Sequence, residues 1–225
     1  MNNTTVYAVV EGQTEQAFVD NVLAPYLGHF NVFIYARLIG KPGHKGGNVR
    51  FERVRKDIEH FLKQRRDTYI TTMFDYFRLP YDWPGRGEMP ANLSTEEKAN
   101  RIEQAALKEL KRLFPEHNPE ARLIPYIQMH EFEALLFSDI SILSDGLGIQ
   151  NCEIERILNE CGGHEEINEG IETAPSKRLE RLCLRYNKVV KGKSISEQTG
   201  LETIRKRCPH FDSWLRRMEK LARQK

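Results

Sequence analysis

The stretch Thr5–Val10, with the sequence TVYAVV, is followed at once by Glu11 and decides the fold class of this chain. A continuous, largely apolar run of this length is typical of a strand that is buried on both faces in a parallel sheet. Thr14 is a predicted helix N-cap, and the apolar spacing over 15–27 predicts a helix with Pro25 in its last turn. The chain therefore opens as a strand followed by a helix.

The same alternation continues along the chain. Residues 32–39 and 69–74 are rich in residues that favour strands. Amphipathic helices are predicted after them, over 49–66 and from Ser94 to Phe114. Strands that alternate with helices indicate an α/β protein with a parallel sheet.

The later part of the chain adds one strand and a series of helices. Arg122–Gln128 is a predicted fourth strand, in which Pro125 indicates an edge position or a bend. His130–Phe137 is a predicted short helix. From residue 149 onward the pattern is helical, with breaks predicted at glycines and prolines: Gly162, Gly163, Pro175, Gly192, Gly200 and Pro209. We therefore predict an α/β core over residues 1–140 and a helical, basic C-terminal extension, residues 141–225, packed on it.

The composition indicates a globular protein that does not span a membrane. Of the 225 residues, 40% are hydrophobic and 29% are charged, which is ordinary for a globular domain. No apolar run reaches the roughly 18 residues that a membrane-spanning helix needs. The N-terminus lacks the basic and apolar regions of a signal peptide, so we expect a cytoplasmic location. The four cysteines are widely spaced, and free thiols are expected rather than a zinc site.

Charge is unevenly distributed along the chain. The formal net charge is +2, but residues 176–225 contain fifteen Lys and Arg against five Asp and Glu, so the rest of the chain is acidic. An acidic body with a basic C-terminal part suits a metal site beside a surface that binds a polyanion. Helices that solvate themselves with Lys and Arg would give the same pattern, so charge alone leaves both interpretations open.

Four acids follow the predicted strands at their carboxyl ends. Glu11 comes directly after the first strand and Asp75 after the third, whereas Glu131 and Glu133 follow the fourth. Because ligand sites of parallel sheets lie beyond the carboxyl ends of the strands, we expect these side chains to meet at one edge. Carboxylate oxygens are ligands that Mg²⁺ and Mn²⁺ prefer. The sequence therefore predicts a site for Mg²⁺ or Mn²⁺.

Several of the acids allow two interpretations. Glu15 lies four residues after Glu11 and shares a face with it if a helix begins between them, or else it complements the positive end of that helix. Glu131 and Glu133 diverge on a helix, so we expect one of them to be a ligand and the other structural. Asp82 is an additional candidate ligand, or it shapes a turn in its proline-rich loop.

His130 and a glycine-rich loop are further candidates. His130 either orients a carboxylate or binds phosphate, or it caps a helix or packs in the core. The loop Gly40–Gly47 contains Lys45 and either contacts phosphates or is simply solvated. The chain has no glycine-rich nucleotide-binding loop of the usual kinds and no Gly-x-Ser-x-Gly elbow. A nucleotide-binding module and a serine hydrolase are therefore not supported.

Four motifs resemble those of a known family. Val9–Glu15, VVEGQTE, resembles the opening motif of Toprim-like proteins, especially nucleases of the overcoming-lysogenization-defect type. Three further motifs follow in order: Phe74–Pro80, Tyr126–Phe137 and Ala174–Leu179. Together the four motifs are similar to the domain-of-unknown-function 4276 family, which is grouped with Toprim folds, and the resemblance covers nearly the whole chain.

The resemblance implies a Toprim-like fold, a parallel sheet between helices, with metal-binding acids at Glu11, Glu15 and Asp75. Toprim proteins commonly carry a further aspartate two residues after the one that matches Asp75, and that position is Phe77 in this chain. Other acids would have to replace it: Asp82, Glu131 or Glu133. The number of metal ions is therefore open.

The resemblance also implies metal-assisted hydrolysis of phosphodiester bonds, with Mg²⁺ or Mn²⁺ as cofactor and Glu11 as a catalytic residue. Lys177 resembles a lysine near the scissile phosphate in related nucleases and would also be catalytic, although a surface lysine at a helix start would look the same. Lys177, Arg178 and Lys45 are the predicted nucleic-acid contacts. No tyrosine stands out as a nucleophile, which favours hydrolysis over nicking and rejoining.

Families like this one often look like the nuclease half of a bacterial anti-phage defence system, beside an ABC-type ATPase. We therefore expect two partners: nucleic acid, with DNA favoured over RNA, and such an ATPase. We expect no membrane contact. The oligomeric state is open, and a homodimer is one option. Two alternatives are a non-catalytic Toprim-fold subunit that binds nucleic acid or the ATPase, and a primase-like or small-nucleotide phosphotransferase.

Overall fold

A computed structural model describes residues 3–40, 49–87, 89–90, 92–167, 170 and 172–223. Within these residues the sheet has five strands: β1 Thr4–Val10, β2 Val32–Leu38, β3 Thr68–Asp75, β4 Leu123–Ile124 and β5 Ile127–Gln128. All pairs are parallel, in the order β2-β1-β3-β4, with β5 also paired to β3. The predicted α/β class is confirmed, and the Toprim-like assignment within that class stays a prediction.

The edge strand of the sheet is interrupted at Pro125, between β4 and β5. Proline has no backbone N–H to donate, so the ladder is interrupted there. Thr72 of β3 bridges the gap with its side chain, because its Oγ1 donates to the carbonyl oxygen of Tyr126 and accepts from the Tyr126 N–H, both at 2.9 Å. The edge position that Pro125 predicted is confirmed, because β4 ends the strand order.

Two long helices, α3 Phe51–Gln64 and α4 Thr95–Leu113, cover one face of the sheet and share a buried apolar cluster with β1 and β3. Helix α4 begins with a reciprocal cap. Ser94 Oγ accepts the backbone N–H of Glu97 at 3.3 Å, and the Glu97 carboxylate accepts the N–H of Ser94 at 2.8 Å. This cap is the helix start predicted from the sequence.

The first helix packs on the other face of the sheet. It has three consecutive segments: α1 Gln13–Phe18, a π-helical turn Val19–Leu23, and α2 Ala24–Gly28. The predicted N-cap at Thr14 is wrong, because the helix already begins at Gln13, where the Glu15 carboxylate accepts the N–H of Gly12 at 2.8 Å. The π-helical turn precedes Pro25, which cannot donate a hydrogen bond to an earlier turn.

The remaining α-helices of the described chain are α5 Pro119–Arg122, α6 Ile140–Leu147, α7 Asn151–Cys161, α8 Pro175–Leu182, α9 Lys193–Arg207 and α10 Pro209–Glu219. Two of the predicted breaks use left-handed glycines, Gly162 after α7 (φ 83°) and Gly200 within α9 (φ 71°). Trp214 of α10 stacks on Tyr126, with ring centroids 4.2 Å apart, and donates to Thr71 Oγ1 at 2.8 Å. The C-terminal helices thus share a core with the sheet, and the division at residue 140 stays a prediction.

Two predictions from composition can be compared with the structure. Among the described residues, no helix combines the length and the apolar character needed to cross a bilayer. All four cysteines lie in the described chain and are free thiols, as predicted, and Cys208 is the buried one.

Candidate metal centre

An acidic cluster forms where the central strands end. Glu11 directly follows β1, and Asp75 is the last residue of β3. After β5 the chain turns at His130, which adopts a left-handed backbone conformation with φ 63°. Asp75 Oδ1 accepts the N–H of Phe132 at 2.8 Å. This hydrogen bond ties the end of β3 to the segment that carries the two glutamates of the cluster.

Three buried carboxylates of this cluster approach one another closely. One oxygen each from Asp75, Glu131 and Glu133 lies within 4.8 Å of the other two. The three residues are 6%, 2% and 1% exposed. The expected divergence of Glu131 and Glu133 is wrong, because Glu131 is extended (φ −146°, ψ 161°) and precedes the 3-10 helix Phe132–Ser138. Both glutamates can therefore reach Asp75.

Glu11 and Glu15 extend this group electrostatically. Burial, and then the charge of Glu15, raises the pKa of Glu11 to about 7. Burial also raises the pKa of Glu15. The pKa of Asp75 is held well above its ordinary value, first by burial and then by the charges of Glu15 and Glu133. The carboxylates of the cluster thus repel one another at a site where burial already opposes negative charge.

Lys188 counterbalances these acids. It opens a π-helical segment, Lys188–Gly192, and its Nζ lies 2.9 Å from Glu133 Oε1 and 4.0 Å from Glu131 Oε1. Burial alone would lower the pKa of Lys188, but the two carboxylates outweigh burial and raise it. Sequence reasoning missed this residue, because no helical or strand periodicity marks it. The basic composition of the C-terminal part is the one sequence signal that pointed to this region.

Tyr186 is a second residue that sequence reasoning missed. Its hydroxyl is buried, and burial, followed by the charges of Glu133 and Glu131, strongly raises its pKa. The phenol therefore stays protonated and is suited to donate a hydrogen bond rather than to attack phosphorus. Tyr186 becomes distinctive only through its position beside the acids, which the sequence does not reveal.

Two of the three predicted basic contacts, Lys177 and Arg178, lie on α8. Lys177 is half-exposed on α8, and its Nζ pairs with Glu180 at 2.6 Å. Arg178, also on α8, donates to the carbonyl oxygen of Thr173 at 2.9 Å. Lys45 lies outside the described residues. The roles assigned to Lys177, Arg178 and Lys45 stay predictions.

The other candidates have supporting or outlying positions. His130 is buried, and its Nε2 lies 2.9 Å from the carbonyl oxygen of Glu165, to which it donates. Asp82 is exposed in a turn, outside the group of three close carboxylates. The start of α8 does contact the cluster, since the Ser176 N–H donates to Glu131 Oε2 at 2.8 Å. The ligand roles considered for Asp82 and His130 stay predictions.

The donor atoms of the cluster fit a hard divalent cation. The three close ligand atoms are carboxylate oxygens, which Mg²⁺ and Mn²⁺ prefer. Oε2 of Glu11 and Oε2 of Glu133 are buried and have no hydrogen-bond partner within the described residues. A cation among these oxygens would offset the repulsion that raises the pKa values of the acids. Asp75, Glu131 and Glu133 could therefore hold such a cation, with Glu11 and Glu15 beside it.

Comparison with known proteins gives a family match. No curated protein and no solved structure matches this chain. A family model described as "Domain of unknown function (DUF4276)" matches residues 10–219, a range that includes every acid of the cluster as well as Tyr186 and Lys188. The resemblance to this family that the four sequence motifs predicted is confirmed, and its link to Toprim proteins stays a prediction. This chain therefore belongs to the DUF4276 family.

Proposed function

We propose that this protein is a nuclease that hydrolyses nucleic-acid phosphodiester bonds with Mg²⁺ or Mn²⁺. The observation that carries the proposal is the buried group of Asp75, Glu131 and Glu133, with oxygens within 4.8 Å of one another, at the carboxyl edge of a parallel sheet. Magnesium usually binds one or two protein carboxylates and keeps its other positions for water and substrate phosphate. A site of this kind suits a phosphate ester as substrate.

Asp75, Glu131 and Glu133 would hold the cation. When bound, the cation would supply an activated water and would stabilise charge on the leaving oxygen. Backbone N–H groups already fix the carboxylates of Asp75 and Glu131, so these ligands would need little rearrangement. Toprim proteins commonly carry an acid at the position of Phe77, and in this proposal Glu131 and Glu133, from the segment after β5, take its place.

Glu11 and Lys188 would act on the reacting groups. Glu11 has a buried oxygen without a hydrogen-bond partner in the described chain, and it would complete the ligand set or accept a proton from water. Lys188 is 34% exposed and borders the cluster, so its ammonium group would neutralise charge that develops on the phosphate. Glu15 would support Glu11 while it holds the first turn of α1.

The proposal includes partners. A formal net charge of only +2 gives little general attraction to a polyanion, which makes binding depend on local basic groups or on a second protein. The family resemblance suggests an ABC-type ATPase as that second protein, and implies that both proteins belong to a cytoplasmic anti-phage defence system. DNA is favoured over RNA as the substrate. No nucleotide-binding loop occurs in this chain, so any use of ATP would belong to the partner.

A cleavage assay tests the proposal. Supercoiled plasmid, linear duplex, single-stranded DNA and RNA would be incubated with Mg²⁺, Mn²⁺ or EDTA, using the wild type, Glu11→Gln and Asp75→Asn. We expect metal-dependent cleavage that each substitution lowers by about 100-fold or more. Silence on every substrate, together with no metal binding by calorimetry, would overturn the proposal. Metal binding without cleavage would favour the non-catalytic alternative, unless an added partner ATPase restores cutting.

A further inference from the structure

Strand β2, at the edge of the sheet, exposes one of its two faces. Along this strand Val32, Ile34 and Ala36 are buried, whereas the alternate residues Phe33, Tyr35 and Arg37 point outward. Phe33 is 38% exposed and Tyr35 is 45% exposed. Exposed aromatic side chains that neighbour each other on one face of a strand form an apolar patch, which makes this face a candidate binding surface.

Tyr7 of β1 adds a third ring to the same face, because it pairs in register with Tyr35. The ring centroids of Tyr7 and Tyr35 lie 6.4 Å apart. Tyr7 is held from the other side by Phe61 of α3, which stacks on it with centroids 4.8 Å apart and an interplanar angle of 24°. We call Tyr7, Phe33, Tyr35 and Arg37 the β2 aromatic surface.

The surface carries a positive charge. The guanidinium carbon of Arg37 lies 5.4 Å from the ring centroid of Tyr7 and 5.9 Å from that of Tyr35. Within the described residues Arg37 forms no ion pair with a carboxylate, and its Nη1 donates to the carbonyl oxygen of Ala36. The rings therefore orient a cation whose charge is available to an anionic ligand.

The Arg37 end of the surface lies towards the carboxyl edge of the sheet, where the acidic cluster is. Arg37 pairs in register with Val9, two residues before Glu11. Because a strand rises about 3.3 Å per residue, Arg37, Tyr35 and Phe33 form a row with steps of about 6.6 Å that recedes from the carboxyl edge. A groove of about 340 Å³ between β2 and α3 adjoins the row and is lined by Tyr7 and Arg37 and, on α3, by Asp57, whose carboxylate accepts the N–H of Gly40 at 2.7 Å.

We propose that the β2 aromatic surface binds single-stranded nucleic acid, with bases stacked on its rings and a phosphate at Arg37, and guides the strand towards the acidic cluster. This inference rests on the proposed nuclease function and specifies its substrate. Proteins that bind single strands combine aromatic rings with basic groups in this way, and the rings accept any base. The proposal concerns unpaired nucleotides because bases inside a duplex are already stacked on each other.

Charge favours a polyanion over a second copy of the chain as the occupant of this surface. A symmetric interface across β2 would bury both copies of Arg37, which forms no ion pair with a carboxylate within the described residues, and burial of an unpaired charge is costly. A standard interface also buries about 800 Å² on each partner, and the exposed parts of two aromatic side chains supply little of that area. A polyanion instead supplies the missing negative charge.

Fluorescence anisotropy with labelled oligonucleotides tests the proposal. Oligo(dT), oligo(rU) and a closed duplex hairpin would be titrated in EDTA, so that binding is measured without metal and separately from cleavage. We expect Phe33→Ser, Tyr35→Ser and Arg37→Gln each to weaken single-strand binding by about tenfold. The duplex should bind more weakly to the wild type than either single strand, and comparison of the two oligomers shows whether DNA or RNA is preferred.

Two variants serve as matched controls. Tyr81→Ser removes a tyrosine that is 76% exposed in the loop after β3, and Arg112→Gln removes an exposed arginine on α4 that pairs with Glu109. Both should bind single strands as the wild type does. No detectable single-strand binding by the wild type, or the same loss in the controls as in the test variants, would overturn the proposal. Unchanged binding with a change in sedimentation would overturn it in favour of a dimer interface.

A second measurement uses the unmutated protein. Photocrosslinking of 5-iodouracil-substituted single strands, followed by mass spectrometry of the peptides, locates the bases directly. We expect crosslinks at Tyr7, Phe33 or Tyr35. Crosslinks confined to other peptides would contradict the proposal even if the variants bind poorly.

Discussion

The raised pKa values of Asp75 and Glu11 should make the stability of the protein depend on pH. Burial and the neighbouring acids raise the pKa of Asp75, and burial raises that of Glu11 to about 7. Without metal, the folded protein therefore holds more protons than the unfolded chain between the ordinary acidic pKa values and about pH 7. Its free energy of unfolding should fall as the pH rises through this range, because deprotonation leaves uncompensated charge in the cluster.

A divalent cation should reverse this loss. We expect Mg²⁺ or Mn²⁺ to raise Tm, and to raise it more at pH 8 than at pH 6, because the cation binds the deprotonated acids. Asp75→Asn should abolish most of the rise while the variant still folds, since the amide oxygen can accept the N–H of Phe132. Thermal unfolding with and without metal at the two pH values provides the measurement, with the exposed Asp20→Asn as control. A metal-induced rise in Asp75→Asn equal to that of the wild type would contradict the assignment.

Lys188 and Lys177 can be compared directly, because each has been assigned the same role on different grounds. Lys188→Met should destabilise the metal-free protein by about 1–3 kcal/mol, less than for a fully buried pair because Lys188 is one-third exposed. It should also lower cleavage by about 100-fold. Lys177→Met removes an exposed pair with Glu180 and should change stability by less than about 1 kcal/mol. Urea unfolding and cleavage rates decide between them, and loss of cleavage in Lys177→Met alone would restore the sequence-based assignment.

The difference between these two lysines shows what the sequence could reveal at this scale. Glu11 and Asp75 were predictable as neighbours, because each directly follows a strand whose pattern is local. Glu131 and Glu133 were placed at the same edge, but their joint approach to Asp75 was not predicted, since a helix was assumed where Glu131 is extended. Lys188 and Tyr186 reach the cluster only through packing of the C-terminal part, which no local pattern encodes.

At the scale of elements, α10 is held against the sheet edge by two acids at its first turn, the buried Glu103 and the partly buried Glu165. His210 Nε2 lies 3.0 Å from Glu103 Oε1 of α4, which also accepts the N–H of Ile127 at 2.9 Å. The Glu165 carboxylate accepts the N–H groups of His210 and Phe211. Burial opposes protonation of His210, but Glu103 and then Glu165 outweigh it and raise the pKa of the imidazole.

This contact should make stability depend on pH. Since the pKa of His210 is raised on folding, its contribution is fully present below about pH 6.5 and is lost as the pH rises through the folded value. We expect His210→Gln to cost about 1.5–3 kcal/mol at pH 6 and clearly less at pH 9. Urea unfolding at several pH values gives the difference in the free energy of unfolding between variant and wild type. The contribution of the acidic cluster is the same in both proteins and cancels in this difference. The exposed His60→Gln is the control, and a difference that does not change with pH would refute the charged contact.

Elements were predictable where local chemistry determines them. The four predicted strands, the last of them divided into β4 and β5, follow from β-forming residues. The cap at Ser94 follows from a Ser–Glu pair, and the interruption at Pro125 from a missing N–H. The start of the first helix was missed because the side chain of Glu15, not that of Thr14, closes the first turn. The π-helical turns at Val19–Leu23 and Lys188–Gly192 were also missed, since a π turn differs from an α turn only in its hydrogen bonding.

At the scale of the whole molecule, the sheet and the C-terminal helices depend on one core. Val6, Ala8 and Ile34 of the sheet belong to the same buried cluster as Ile195, and as Phe211 and other residues of α10. Lys188 belongs to the basic C-terminal part and lies beside acids that follow the strands of the sheet. The candidate site therefore also needs both parts of the chain. The candidate site and the core therefore both depend on contacts between the sheet and the C-terminal helices. From the sequence, these contacts were predicted only in general form, as packing of an extension on a core.

A fragment of residues 1–140 should consequently fail to fold on its own. It would expose Tyr126, on which Trp214 stacks, and the side of the sheet covered by α9 and α10. Loss of that burial removes on the order of 25 cal/mol per Å² of apolar area, against a net stability of roughly 5–15 kcal/mol for a typical protein. Circular dichroism and urea titration should show no cooperative transition for the fragment. The full-length Trp214→Phe variant, which keeps the ring packing and loses the bond to Thr71, should unfold cooperatively with a loss of about 1 kcal/mol. A cooperative transition of the fragment close to that of the whole protein would show that the two parts are separate domains, as the predicted division at residue 140 allows.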